Sequence, residues 1–142
     1  MGIVGQEFFF ELCAAMKKWI FVLAVLLSTA ASTTPIVKHP DGSVTINTST
    51  LEADEGYMGP TPLLIHLDAQ ERVTRIEALP NSETPAYWGA VMERLSTLWN
   101  GLPVQKVLSR QVDAVSGATY SSQGFFSNLE KGISYYLNTK EE

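Results

Sequence analysis

The chain has 142 residues, 45% of them hydrophobic, and a formal net charge of -5 with no run of lysine or arginine. That length supports one modest core, and the acidic balance argues against nucleic acid as a partner. The single cysteine, Cys13, precedes an apolar stretch. If export removes it, the mature chain has no disulfide, no cysteine-held iron-sulfur cluster and no thiol-linked haem.

The N-terminal region reads as an export signal starting at Met16. Lys17 and Lys18 form a positive n-region, residues 19–27 an apolar core, and residues 28–32 a small-residue cleavage zone. The apolar core falls short of the ~20 residues that span a bilayer, so cleavage near Ser32 is expected, with a retained anchor as the other option. Glu7 and Glu11 do not suit an n-region, which makes residues 1–15 an extension ahead of the functional start. Cys13 is no lipoprotein site, because it precedes the apolar stretch instead of closing it. Residues 1–32 are therefore expected to be an extension plus signal peptide, placing the protein outside the cytoplasm, periplasmic or at the cell surface, with membrane association left open.

Residues 33–50 are polar and rich in Ser, Thr and Pro, with a short strand at 43–47 after the turn signal Asp41-Gly42; they read as a linker or an edge strand. A folded domain is expected over 51–142. Residues 63–68 and 73–79 form two arms of a hairpin around Ala69-Gln70-Glu71-Arg72. Strict alternation puts Leu63, Ile65 and Leu67 on one face of the first arm, and Val73 with Arg75 opposite Thr74, Ile76 and Ala78 in the second.

Thr84-Pro85 starts a helix, since threonine can cap it and proline at the first helical position loses no needed N–H. Tyr87, Val91, Leu95, Leu98 and Trp99 recur at helical spacing up to Gly101. Residues 104–112 are expected to be extended. Ser121 or Ser122 opens a second helix with Phe125, Phe126, Leu129, Ile133, Tyr136 and Leu137 as its apolar stripe. Mixed helices and one antiparallel strand pair give an α+β class: a small twisted antiparallel sheet with packed helices in a single domain.

The chemistry lies in Asp113-Ala114-Val115-Ser116-Gly117-Ala118-Thr119-Tyr120-Ser121-Ser122. Small residues and hydroxyls ahead of a helix N-terminus suit a phosphate, because the first backbone N–H groups are unsatisfied and carry partial positive charge. On its own the same string also fits a plain capped turn between two elements.

This string resembles the flavinylation motif of the FMN-binding domain family, Asp-x-x-Ser-Gly-Ala-Thr followed by Ser or Thr. Members include the FMN-bearing subunits of sodium-pumping NADH:quinone reductases and Rnf-type complexes. Gly56-Tyr57-Met58-Gly59-Pro60 is similar to the family's Gly-Tyr-x-Gly-Pro opening, and Glu83-Thr84-Pro85 to its Glu-Thr-Pro-Gly element, with Ala86 departing from the usual glycine. The resemblance implies that a Mg-dependent flavin transferase splits FAD and joins FMN through its phosphate to Thr119. Asp113, Ser116, Gly117, Ala118, Tyr120, Ser121 and Ser122 then surround the cofactor, with Glu83 and Thr84 as further candidates. Asp113 matches the motif's acid, and its choice between guiding the transferase and bracing the loop stays open. Threonine is a weak nucleophile, so base and metal must come from the transferase. A tether keeps FMN with the chain where free FMN is scarce. The implied function is an extracytoplasmic electron carrier with an unnamed redox partner, for which a membrane electron-transfer complex is the candidate; no catalytic residue and no metal site is expected. The alternatives are a non-covalent FMN-binding module, a small flavin-dependent reductase, and a flavin-free scaffold on the same fold.

Other residues carry plainer readings. Tyr57, Trp88 and Tyr120 can stack on a flavin, though core or loop packing competes. His39 and His66 lack companions for a metal, and Glu52, Asp54 and Glu55 read as solvated acids. Glu83 either orients the helix through Thr84 or contacts the flavin.

Overall fold

The computed structural model describes residues 34–142. Its sheet is an antiparallel meander of four strands: β1 (Ile36–Lys38), β2 (Val44–Asn47), β3 (Leu63–Leu67) and β4 (Val73–Ala78), neighbours in chain order. Three helices accompany it: α1 (Pro85–Leu95), the four-residue α2 (Val104–Val107) and the 23-residue α3 (Thr119–Glu141). The class is α+β.

Of the segment read as a linker or an edge strand, the described residues 34–50 contribute an edge strand and also an interior one. The turn between β1 and β2 closes because Gly42 takes φ +86 and the Asp41 carboxylate accepts from the backbone N–H and hydroxyl of Ser43. β2 then pairs with both β1 and β3. Past β2, the buried hydroxyl of Thr48 donates to the carbonyl of Leu63 at 3.2 Å and accepts from its N–H at 2.7 Å, fastening the start of β3.

The hairpin forms, but its second arm does not keep a strict period of two. A bulge between His66 and Leu67 pairs His66 with Arg75 and Leu67 with Val73. Thr74 is therefore the extra residue, and Val73 and Ile76 both turn inward. This corrects the simple alternation, which put Val73 with Arg75 and Ile76 on the opposite face. The core face of the sheet is consequently Val44, Ile46, Leu63, Ile65, Leu67, Val73 and Ile76.

Helix α1 starts where Thr84-Pro85 predicts. Thr84 has the extended dihedrals of an N-cap, yet its side chain makes no capping bond; its carbonyl accepts from the N–H groups of Tyr87 and Trp88. Trp88, Val91 and Leu95 are buried, whereas Tyr87 is exposed and does not belong to the apolar stripe. After Leu95 the chain continues in turns that bury Trp99 and reverse at Gly101, φ +80.

The extended segment expected over 104–112 is instead a helical turn followed by irregular chain. Its approach already pairs with the start of β4, through Val73 N–H to the Leu102 carbonyl and Val104 N–H to the Glu71 carbonyl. One helical turn then buries Val104 and Val107, three apart, which a strand would have placed on opposite faces.

Helix α3 covers the sheet and buries Phe125, Leu129, Ile133 and Tyr136. Each such large apolar side chain contributes about 2 kcal/mol of burial. Close approach is possible because Gly132 has no side chain: a Cβ there would lie 2.9 Å from Ile65 Cδ1 and from Thr48 Cγ2. Trp99, Phe125 and Phe126 form an aromatic group at one side of the core, with ring centroids 5.8–6.3 Å apart.

Candidate functional site

Helix α3 begins at Thr119, two residues before the earlier of the two serines expected to open it, with Ala118 at the N-cap position. The loop in front of it is closed by its own hydrogen bonds. Ser122 Oγ accepts from the Val115 N–H at 3.0 Å and donates to the Ala118 carbonyl at 2.8 Å, while the Ala118 N–H donates to the Val115 carbonyl at 2.9 Å. Buried Val115 and Ala118 anchor the turn, and Gly117 crosses its apex at φ +81. A side chain at Gly117 would meet nothing within 4 Å, so the glycine serves the left-handed backbone there and relieves no crowding.

The four hydroxyls of the motif divide into two pairs. Ser121 and Ser122 are buried and bonded inside the protein, Ser121 donating to the Glu83 carboxylate. Ser116 and Thr119 are exposed and have no hydrogen-bond partner among the described residues. Thr119 stands on the first turn of α3, where backbone N–H groups lack intrahelical acceptors and favour an anion.

Glu83 assembles the site. It is 7% exposed, and its two carboxylate oxygens accept from Ser121 Oγ and, at 2.6 Å, from the Met58 N–H. The three sequence motifs, far apart in the chain, thus meet through one side chain. Thr84, next to it, is exposed at the start of α1 and serves that helix through its carbonyl. Gly56 fits beside Glu83, since a Cβ there would stand 2.9 Å from Glu83 Oε1.

Two contributors were not singled out in the sequence. Gly124 lets α3 touch the 56–60 loop, because a Cβ would lie 2.6 Å from Thr61 Oγ1 and 2.8 Å from the Gly56 Cα. Asn128, fully buried, accepts from the Asp54 N–H and donates to the Asp54 carbonyl and to Thr61 Oγ1 at 2.9–3.0 Å. Glycine and asparagine are weak helix formers, and their place beside the apolar stripe of α3 was the available signal.

A cavity of about 210 Å³ opens at Thr119, lined by Tyr57, Tyr87, Gly117, Ala118, Tyr120 and Ser121. Tyr57 and Tyr120 stand with ring centroids 6.1 Å apart at 36°. Trp88 is buried in the core and does not line this cavity. Asp113 does not line it either; it is exposed on a separate hollow of about 490 Å³ with Trp99, Phe126 and Glu130. The hollow of about 940 Å³ between β1 and the end of α3 contains no motif residue.

A family model for the FMN-binding domain matches residues 56–134, more than half of the chain and all three motifs. The chain belongs to the FMN-binding domain family. FMN is its cofactor, and the protein is a flavin-binding module. No curated protein and no solved structure matches it.

The residues present suit FMN. An exposed threonine at a helix start offers an anion-favouring surface to the phosphate, and the aromatic side chains at the cavity offer flat apolar contact to the ring system. When bound, the flavin supplies one- and two-electron chemistry, while the protein holds and tunes it. Elsewhere, His66 bonds to Glu77 at 2.8 Å on the outer face of the sheet, and Lys131 pairs with Asp54 at 2.7 Å. Among the described residues no group of three His, Cys, Asp or Glu side chains converges to hold a metal.

Proposed function

We propose that this protein carries FMN covalently, through a phosphoester to Thr119, and works outside the cytoplasm as an electron-transfer carrier. The observation that supports it is the division of the motif hydroxyls: Ser121 and Ser122 are buried and engaged, and of the two exposed, unbonded ones Thr119, unlike Ser116, lines the aromatic cavity. Attachment balances as a phosphoryl transfer from FAD. Thr119 Oγ attacks the phosphorus of the FMN half, the P–O–P bond breaks, AMP leaves, and the hydroxyl proton passes to a base of a Mg-dependent flavin transferase. A tethered flavin is not lost by dilution, which suits an exported carrier. The signal segment that motivates export lies outside the described residues. Among the described residues no helix is long and apolar enough to cross a membrane.

Co-expression with a flavin transferase tests the attachment. The mass should rise by one FMN less one water, and the unfolded chain should fluoresce on a denaturing gel. Thr119→Ala should remove both signals while the protein stays folded; Thr119→Ser keeps the hydroxyl and should label in part. A fully labelled alanine variant would move the bond to another hydroxyl, and flavin that leaves on denaturation would favour a non-covalent module.

A further inference from the structure

We propose that Tyr57, Tyr87 and Tyr120 form an open-faced cradle that holds one face of the isoalloxazine ring of FMN at the protein surface and leaves the other face to solvent. The proposal rests on the attachment to Thr119 argued above. Three of the chain's five tyrosines line the 210 Å³ cavity at Thr119. They come from three separate segments: the 56–60 loop, the first turn of α1 and the first turn of α3. Convergence of that kind is a tertiary feature and does not follow from local helix or strand periodicity.

These side chains do little for the fold. Tyr57 and Tyr120 are each 64% exposed and Tyr87 is 51% exposed. None of the three hydroxyls has a hydrogen-bond partner among the described residues. Tyr136 shows the contrast, being buried with its hydroxyl donating to Glu71 at 2.7 Å. Grouped exposed aromatics of this sort mark a binding surface more often than scattered single residues do.

Size and spacing decide the geometry. A cavity that encloses a drug-sized ligand measures about 300–1,000 Å³, so the 210 Å³ space takes only part of a tricyclic ring. A flat ring held between two others needs about 7 Å between them, twice a carbon contact distance. The Tyr57 and Tyr120 centroids are 6.1 Å apart and tilted by 36°, too close to admit a third ring. The isoalloxazine therefore rests against the Tyr57–Tyr120 pair and beside Tyr87, with its second face open.

Flavin fluorescence tests this independently of redox activity. A tyrosine in contact with an excited flavin quenches it by donating an electron that then returns, whereas phenylalanine, far harder to oxidise, stacks without quenching. Protein loaded with FMN by the transferase should be several-fold dimmer when folded than when unfolded in denaturant. Tyr57→Phe, Tyr87→Phe and Tyr120→Phe should each recover part of the intensity, and Tyr135→Phe, at a different hollow, should recover none. Iodide should still quench the residual emission, because one face is open. A loaded protein that is equally bright folded and unfolded, equal recovery in the Tyr135 control, or emission shielded from iodide would overturn the cradle while leaving attachment intact. A chain that takes no covalent flavin would overturn the attachment and the cradle with it.

Discussion

Glu83 and Ser121, 38 residues apart, are joined by a buried hydrogen bond from hydroxyl to carboxylate, and the other oxygen of Glu83 accepts from the Met58 N–H. This carboxylate holds the 56–60 loop against the first turn of α3, so Tyr57 and Tyr120 meet beside Thr119. Glu83→Ala should cost about 2 kcal/mol, the usual worth of a hydrogen bond to a charged group with its partner left unpaired. Denaturant unfolding measures it. The same variant should label more slowly on Thr119, and unchanged stability would show that the loop is held by other contacts.

Two glycines in helices should respond to alanine with opposite signs. At Gly89 in α1 a Cβ meets nothing within 4 Å, so Gly89→Ala should stabilise by about 1 kcal/mol through helix propensity alone. At Gly124 the Cβ would press on Thr61 Oγ1 and on the Gly56 backbone, and Gly124→Ala should destabilise by roughly 1–3 kcal/mol. Thermal unfolding of the pair decides the matter; two gains would mean that α3 can slide away from the loop at little cost.

Ile133 is fully buried on α3, and Leu129 beside it is 4% exposed. Ile133→Asp would bury an unpaired carboxylate, which commonly costs more than ~3 kcal/mol and is comparable with much of a small domain's stability. Circular dichroism on heating should show a large loss of Tm or no folded state. A variant as stable as the parent would contradict the packing of α3 on the sheet.

Gly117 at φ +81 makes a backbone prediction in place of a steric one. Gly117→Val forces a β-branched residue into the left-handed region and should reduce both stability and labelling of Thr119, with a strain of about 1–3 kcal/mol. Gly117→Asn, which tolerates that region, should keep most of both. Equal loss in the two variants would instead point to crowding inside the transferase.

The cluster at the far end of α3 sets a pH window. Lys140 and Tyr136 both donate to Glu71 and hold its carboxyl below its ordinary value, while burial and the Glu71 charge push the Tyr136 phenol up to about 12. A depressed carboxyl contributes stability above pH 4.5 that is lost as the pH falls below it. A raised phenol contributes stability below pH 10.0 that is lost as the pH climbs toward about 12. Stability measured across pH should therefore fall at both ends, with Glu71→Gln flattening the acid limb and Tyr136→Phe the alkaline one.

The amino-acid sequence by itself determined the features set by neighbours along the chain. The apolar alternation of β3, the Thr84-Pro85 start of α1, the stripe from Phe125 to Tyr136 and the order of the three motifs were all legible, because each depends on local periodicity, local dihedral preference or chemical type. Tertiary structure decided the rest. The bulge that turns Ile76 inward is a property of two strands paired in register, and the helical turn at Val104 answers to hydrogen bonds with the start of β4. Helix α3 starts at Thr119 because Ser122 turns back to close the loop. Tyr87 fits the helical stripe by spacing yet faces out, because the neighbouring Trp88 fills the core position. Which hydroxyls stay free, and which of them the aromatics surround, was likewise fixed in three dimensions: Glu83 consumes Ser121, Thr119 and not Ser116 lines the aromatic cavity, and contacts between segments tens of residues apart leave no periodic trace in the sequence.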